Sequence, residues 1–214
     1  MRLSLIGMSG TGKSHWSSRL VARGFTRFCC DELIANKLRP ELTASGTERS
    51  MGEWMGFPYE SQYQAREAKY LAYEVEVLED ILTSLEAGLP HLDQNVIVDT
   101  TGSVIYTDPA LLHRLRQQTT LVYLDTPPEV QGKMRLAYID SPPPVLWRDK
   151  FHQLPGESNE AALARSYPEL LASRTRLYTQ WAEVTLDYYK LRQPGFTVDD
   201  FLNEIEQTIK VPVE

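Results

Sequence analysis

Cysteine is nearly missing from this chain: only Cys29 and Cys30 occur in 214 residues, side by side. Adjacent residues rarely bridge and no third thiol can take either, so a disulfide framework is excluded and a reduced, cytoplasmic setting is expected. Long apolar runs are missing too. No stretch approaches the roughly 20 residues of a membrane-spanning helix. The N-terminal apolar run is too short for a secretory signal, so a soluble protein with no membrane partner is expected. Positive charge is in deficit, with 22 Lys and Arg against 29 Asp and Glu, a net charge of −7 and a pI near 5.2. That balance argues against the clustered cations of sequence-independent nucleic-acid binding. A small anion stays possible, because a nest of amides and a few basic side chains overcome a mildly acidic whole. His15, His91, His113 and His152 lack metal-ligand spacing, and neither internal repeats nor low-complexity tracts occur.

What is present is a phosphate-binding signature. Gly7, Met8, Ser9, Gly10, Thr11, Gly12, Lys13 and Ser14 match GxxxxGK(S/T) in full. The apolar stretch Leu3 to Ile6 reads as a buried strand before it and Ser14 to Val21 as a helix after it, which is the context the motif requires. Glycines let successive amides of Ser9 to Gly12 turn inward on a triphosphate, and the helix adds its positive N-terminal end. Lys13 then neutralises the β and γ phosphates of ATP, and the Ser14 hydroxyl ligates Mg²⁺.

The chain length fits one α/β domain over residues 1–214. Thr26 to Cys30 reads as a second strand ending at Asp31, and Glu32 to Leu38 as the start of a helix. Between Arg39 and Tyr59 the texture changes: Pro40, Gly46, Gly52, Gly56 and Pro58 interleave with Met51, Trp54, Met55, Phe57 and Tyr59. The glycines and prolines exclude one long helix. Two readings stay open, an insertion forming a lid or acceptor pocket, or a surface excursion packing its own small core. Helical spacing of Tyr63, Tyr70, Leu71, Val77, Leu78, Ile81, Leu82 and Leu85 predicts an amphipathic helix from Glu60 to Ala87. Strands follow at Val96 to Val98, Leu121 to Leu124 and Thr185 to Tyr189, with helices near Pro109 to Gln117, Pro127 to Met134, Pro168 to Ala182 and Val198 to Ile209. Continuous apolar strands alternating with helices imply a three-layer α/β fold around a mainly parallel five-stranded sheet.

In such a sheet ligands bind beyond the carboxyl ends of the strands, so Asp31, Asp99 and Asp125 are rim candidates. The apolar run Val96 to Val98 before Asp99 gives the Walker B form, whose carboxylate holds Mg²⁺ directly or through water; the alternative is a structural carboxylate. Asp125 precedes Thr126, Pro127 and Pro128, which suits a helix cap. Cys29 and Cys30 are expected to be buried, inert thiols, and Tyr188 and Tyr189 to pack on the sheet.

The phosphate loop, FCCDELI at Phe28 to Ile34, LVYLDTPPE at Leu121 to Glu129 and SRTRLYTQWAEVTLD at Ser173 to Asp187 together resemble the shikimate kinase family of small P-loop kinases. The resemblance covers most of the chain except Arg39 to Tyr59. It implies the P-loop nucleoside triphosphate hydrolase fold and phosphoryl transfer from ATP to a hydroxyl. Of the family's aspartate pair after the second strand, the one binding the acceptor hydroxyl matches Asp31; the one linked to the magnesium shell falls on Cys29, a departure that shifts weight to Asp99. The arginine pairing with the acceptor carboxylate matches Arg174, and a bidentate guanidinium suits that task, although an ordinary surface arginine fits the sequence as well. The family's glycine triplet reads Thr100, Thr101, Gly102. Its second acceptor arginine aligns with Gln64, with Arg66 nearby. The adenine clasp falls on Lys133 and Pro194, each equally readable as a solvated helix residue or a turn former. The lid stretch corresponds to residues 138–153, where Arg148 is the preferred lid cation and Lys150 its neighbour.

The expected reaction is transfer of the γ-phosphate of ATP to a small, anionic acceptor other than shikimate, by a monomer or homodimer. Lys13, Asp31 and Arg148 act in catalysis, Asp31, Arg66, Thr101, Gly102 and Arg174 hold the acceptor, and Ser14 and Asp99 hold the metal. The alternatives are a nucleoside or nucleotide kinase whose aromatic insertion stacks a base, and a slow ATPase acting as a nucleotide-controlled binding protein.

Overall fold

The computed structural model describes residues 1–44, 46–88 and 94–210; His91 lies outside them. Five strands form the sheet: β1 Arg2–Ile6, β2 Thr26–Cys29, β3 Val96–Asp99, β4 Thr120–Leu124 and β5 Val184–Leu186. All pairings are parallel, in the order β2-β3-β1-β4-β5. Among the described residues the α-helices are α1 Lys13–Val21, α2 Cys30–Leu42, α3 Met51–Met55, α4 Tyr63–Glu86, α5 Pro109–Gln118, α6 Pro128–Asp140, α7 Asn159–Trp181 and α8 Val198–Lys210.

Strand alternation divides the core in two. Leu3, Leu5, Ile97, Val122 and Leu124 point to the face covered by α1 and α8, where Trp16 stacks on Phe201 at 4.7 Å. Ile6, Val96, Val98, Leu121 and Tyr123 point to the other face, under α2, α4, α5 and α7. Because both faces are covered, the strands read as unbroken apolar runs. Their carboxyl ends then line one rim, with Cys29 beside Asp99 and Asp99 beside Leu5 in register.

Several boundaries move. Helix α2 runs through Pro40 to Leu42 instead of breaking at Arg39. A proline in the last turn removes one amide, and both the amide and the hydroxyl of Thr43 cap the Arg39 carbonyl, at 3.1 and 2.9 Å. Helix α7 starts nine residues before Pro168, where the Ser158 hydroxyl accepts from the Ala161 amide at 3.2 Å. Burial of Leu163 and Tyr167 holds that first half in place, so Pro168 sits inside the helix and not at its start. Asp125 does not cap α6: its carboxylate accepts from the Thr126 amide at 2.7 Å, and Pro127 holds the N-cap position. Tyr188 and Tyr189 leave the sheet; Tyr188 stacks under the Arg192 guanidinium at 3.6 Å, while the half-exposed Tyr189 donates to Glu129.

The segment between α2 and α4 does not build a core of its own. Trp54 and Met55 join the main core, and the Phe57 and Tyr59 rings stack at 5.4 Å and continue through Tyr138, Trp147, Phe151 and Tyr167. Segment 138–153, expected as a lid, is anchored at its centre: Leu146 and Trp147 are fully buried. The Tyr63 hydroxyl donates to the Val145 carbonyl at 2.7 Å and accepts from the Trp147 amide at 2.9 Å. Among the described residues no helix is long and apolar enough to cross a membrane.

Candidate active site

The phosphate loop joins the end of β1 to α1. Gly7 has φ 143° and a Cβ there would come 2.9 Å from the Leu124 carbonyl, while Gly12, at φ 105°, occupies the N-cap of α1. Neither position accepts an L side chain without strain. Among the described residues no side chain caps α1 and its first turn holds no acid, so its leading amides lack the capping partner a helix N-terminus usually has. Lys13 folds back into the loop, donating from Nζ to the carbonyls of Gly7 at 2.8 Å and Met8 at 3.0 Å. It is 6% exposed and in no ion pair among the described residues, and burial lowers its pKa against the pull of Asp31 and Asp99. Ser14 is exposed at the first turn, where its hydroxyl can meet a cation.

Asp31, in the first turn of α2, accepts from the Tyr70 hydroxyl at 3.1 Å. Burial raises its carboxyl above the ordinary range, opposed by Lys13 and the Tyr70 bond. Asp99 is 2% exposed and its Oδ2 is doubly engaged, by Ser17 at 2.9 Å and by Arg27 at 2.8 Å. It is therefore a charge-balanced carboxylate. Cys29 and Cys30 are buried free thiols, and burial pushes Cys29 up to about 12. Both stay protonated and inert.

Arg174 is no surface arginine. It is 4% exposed and donates from Nη2 to the Leu146 carbonyl at 2.8 Å, and among the described residues it is in no ion pair and its Nε has no partner. A Cβ on Gly102 would lie 3.3 Å from the Ser9 amide and 3.5 Å from Arg174 Nη1. Gly102 thus lets the arginine, the phosphate loop and the loop after β3 meet. Tyr106 lies against Arg174 at 5.4 Å with its own hydroxyl unpartnered.

Glu74 was invisible as a site residue. It is 2% exposed on α4, accepts from Thr101 and, at 2.6 Å, from Ser103, and burial pushes its carboxyl up to about 7. Thr101 is consequently turned toward Glu74 as a donor. Glu67, about two helical turns earlier, accepts from the Arg148 amide at 2.8 Å and pairs with its guanidinium at 3.8 Å. That carboxylate holds Arg148 at φ 55°, a left-handed conformation uncommon for a side chain of its size. Both glutamates occupy the apolar phase of α4 with Tyr63, Tyr70, Val77 and Ile81, the one signal that separates them from the solvated acids of the same helix.

The structure does not bring the remaining candidates together. Arg66 lies over the Trp54 ring at 5.9 Å. Lys133 lines a cavity of about 400 Å³ beside the phosphate loop, whereas Pro194 lines a separate shallow concavity with Lys190 and Gln193. Among the described residues no cluster of His, Cys, Asp or Glu forms a metal site by itself.

The fold is similar to that of solved shikimate kinases. That of Acinetobacter baumannii, in complex with shikimate, matches with TM-score 0.58 and 20% identity over 97% of this chain and 92% of that one. The enzyme of Bacteroides thetaiotaomicron gives 0.60 and 15% over 99% of both chains. That of Aquifex aeolicus gives 0.57 and 18% over 98% and 96%. The chain has the shikimate kinase fold. No protein-family model and no curated protein matches it.

Proposed function

We propose that the chain is an ATP-dependent phosphotransferase acting on a hydroxyl of a small anionic acceptor. The observation that carries this reading is the pair Lys13 and Arg174, two buried cations with no carboxylate in ion-pair contact, set about an uncapped helix N-terminus. Asp31 and Asp99 act on Lys13, and Glu74 on Arg174, only from beyond contact, and an anionic ligand would complete the pairing of these buried charges.

The donor set suits Mg²⁺, which keeps most of its ligands as water and phosphate oxygens and needs one or two from protein. Ser14 would hold it, and Asp99, already balanced by Arg27, would act from behind; the ion would neutralise charge between the β and γ phosphates. Lys13 and the loop amides stabilise the departing diphosphate. Asp31 orients the acceptor hydroxyl and takes its proton as the oxygen–phosphorus bond forms and the bridging bond of the γ-phosphate breaks, releasing ADP. Its raised proton affinity favours that transfer. Arg174 fixes the acceptor's anionic group, and positioning with charge neutralisation provides most of the rate. Arg148 can reach the site only by leaving Glu67.

The test is transfer of label from γ-labelled ATP to an acceptor panel by wild type and Lys13→Ala. Loss of at least about a hundredfold in kcat/KM is expected for removal of a charge-assisted phosphate contact in a buried site. Undiminished phosphorylation by the variant refutes the assignment.

A further inference from the structure

The cavity of about 400 Å³ between the phosphate loop and helices α6 and α7 has a composition that the phosphotransfer reading does not use. Val130, Met134 and Ala137 recur on one face of α6 and oppose Leu170 and Leu171 of α7 across it. Only Tyr138 of α6 is buried, while Leu136 and Ile139 on its other side are 61% and 42% exposed. The C-terminal end of α6 packs on α7 through Tyr138, which stacks on Tyr167 at 5.6 Å, while Val130, Met134 and Ala137 also line the space. That space has the volume of a small-molecule site. Its charged lining is one-sided: Arg174 and Lys133 contribute, and no Asp or Glu does. Arg174 is buried with Nε unpartnered, and the Thr126 hydroxyl, also buried in the lining, is unpartnered as well.

Resting on the phosphotransfer reading, we infer that this cavity takes the acceptor, and that the acceptor is an amphipathic hydroxy acid: an apolar ring or alkyl body between α6 and α7, with its carboxylate on Arg174. Hydroxyls of a polyhydroxylated ring that face Val130, Met134, Ala137 and Leu170 would find no partner there, although Ser9, Thr126, Ser141 and Tyr188 line other parts of the cavity. Each such hydroxyl loses its hydration without compensation. An apolar body instead removes those side chains from water. Met8 to Thr11 of the phosphate loop close one end of the cavity, so a hydroxyl carried next to the carboxylate would point out of that end toward the transferring phosphate and meet Asp31 beyond the lining.

The experiment compares mandelate, an aromatic hydroxy acid, with quinate, a cyclic polyhydroxy acid, on the full chain. Binding of each is measured by calorimetry without nucleotide, then KM for each acid and for ATP in the transfer assay. Mandelate is expected to bind at least about tenfold tighter than quinate. Ala137→Trp, which fills the cavity from an exposed helix position, should weaken mandelate about tenfold and change KM for ATP less than about twofold. Equal or tighter binding of quinate overturns the inference. So does an Ala137→Trp protein, folded by its unfolding temperature, that raises KM for ATP and leaves mandelate unchanged, since the cavity would then belong to the nucleotide. Preferential mandelate binding by a protein that neither binds nor turns over ATP would uphold the cavity's ligand and reject phosphotransfer.

Discussion

The guanidinium of Arg27 reaches from β2 to the carboxylate of Asp99 at the end of β3, Nη2 to Oδ2 2.8 Å, and its Nε also donates to Ser17 at 2.8 Å. Asp99 is 2% exposed, so this pair keeps a buried carboxylate charge-balanced at the rim of the sheet. Removing one partner of such a pair strands the other. Arg27→Met should therefore cost about 2 to 4 kcal/mol in urea denaturation, and adding Asp99→Asn should recover most of it. A change within about 0.5 kcal/mol for the single variant, the range of ordinary surface substitutions, would show that Asp99 is balanced by something else.

Arg174 gives the opposite pattern. Its guanidinium is buried without a carboxylate in ion-pair contact, so Arg174→Met, similar in length and apolar, removes a desolvated charge at the loss of one hydrogen bond to Leu146. Folding stability should hold or rise by about 1 kcal/mol, the regime in which an apolar replacement matches a buried ion. Acceptor kcat/KM should fall by about a hundredfold or more, the worth of a buried charge-assisted pair. Parallel loss of stability and activity would mark Arg174 as a structural arginine.

The contrast between these two arginines shows what the sequence carries. The phosphate loop is legible because its glycines, Lys13 and the flanking strand and helix are contiguous, and local geometry alone dictates them. The parallel sheet is legible in Val96 to Val98 and Leu121 to Leu124 because strands buried on both faces must be apolar throughout. Arg27 is not legible as the partner of Asp99, since the two are 72 residues apart and meet only through strand pairing. Arg174 could be singled out by its place before Leu177 and Tyr178, yet its burial depends on how α7 meets the segment at Leu146. The aromatic residues of the insertion suggested a ligand pocket; their stacking on Tyr138, Trp147 and Phe151 is a tertiary outcome that composition cannot separate from one.

Glu74 predicts a pH dependence of stability. Its carboxyl titrates at about 7 in the folded chain against an ordinary 4.5, because burial outweighs the hydroxyl bonds from Thr101 and Ser103. The folded state thus binds this proton more tightly than the unfolded one. The stabilisation is fully present below 4.5 and is lost as pH rises through 7, about 3 kcal/mol in all. Asp31, also raised, contributes with the same sign, so the informative quantity is the difference between wild type and Glu74→Gln. Chemical denaturation at steps between about pH 5 and pH 8 should show the variant gaining on wild type as pH rises. Parallel curves would place the Glu74 proton affinity near that of an exposed glutamate.

Two glycines in short reach of the candidate site should respond in opposite directions to alanine. Gly52 lies inside α3, where a Cβ would come 1.6 Å from the Pro142 carbonyl oxygen. The insertion and the segment that carries Trp147 and Arg148 touch there backbone to backbone, and neither carbonyl nor helix can retreat without disturbing the Phe57, Tyr138 and Trp147 rings. Gly52→Ala should cost about 1 to 3 kcal/mol and expose the chain near Pro142 to limited proteolysis. Gly132, inside α6, has nothing within 4 Å of its notional Cβ and no positive φ. Gly132→Ala should therefore stabilise the protein by about 0.5 to 1 kcal/mol, through helix propensity and a less flexible unfolded chain. If both substitutions proved neutral, the close approach at Pro142 would not be a fixed contact. The insertion would then be free to move relative to the cavity beneath α6.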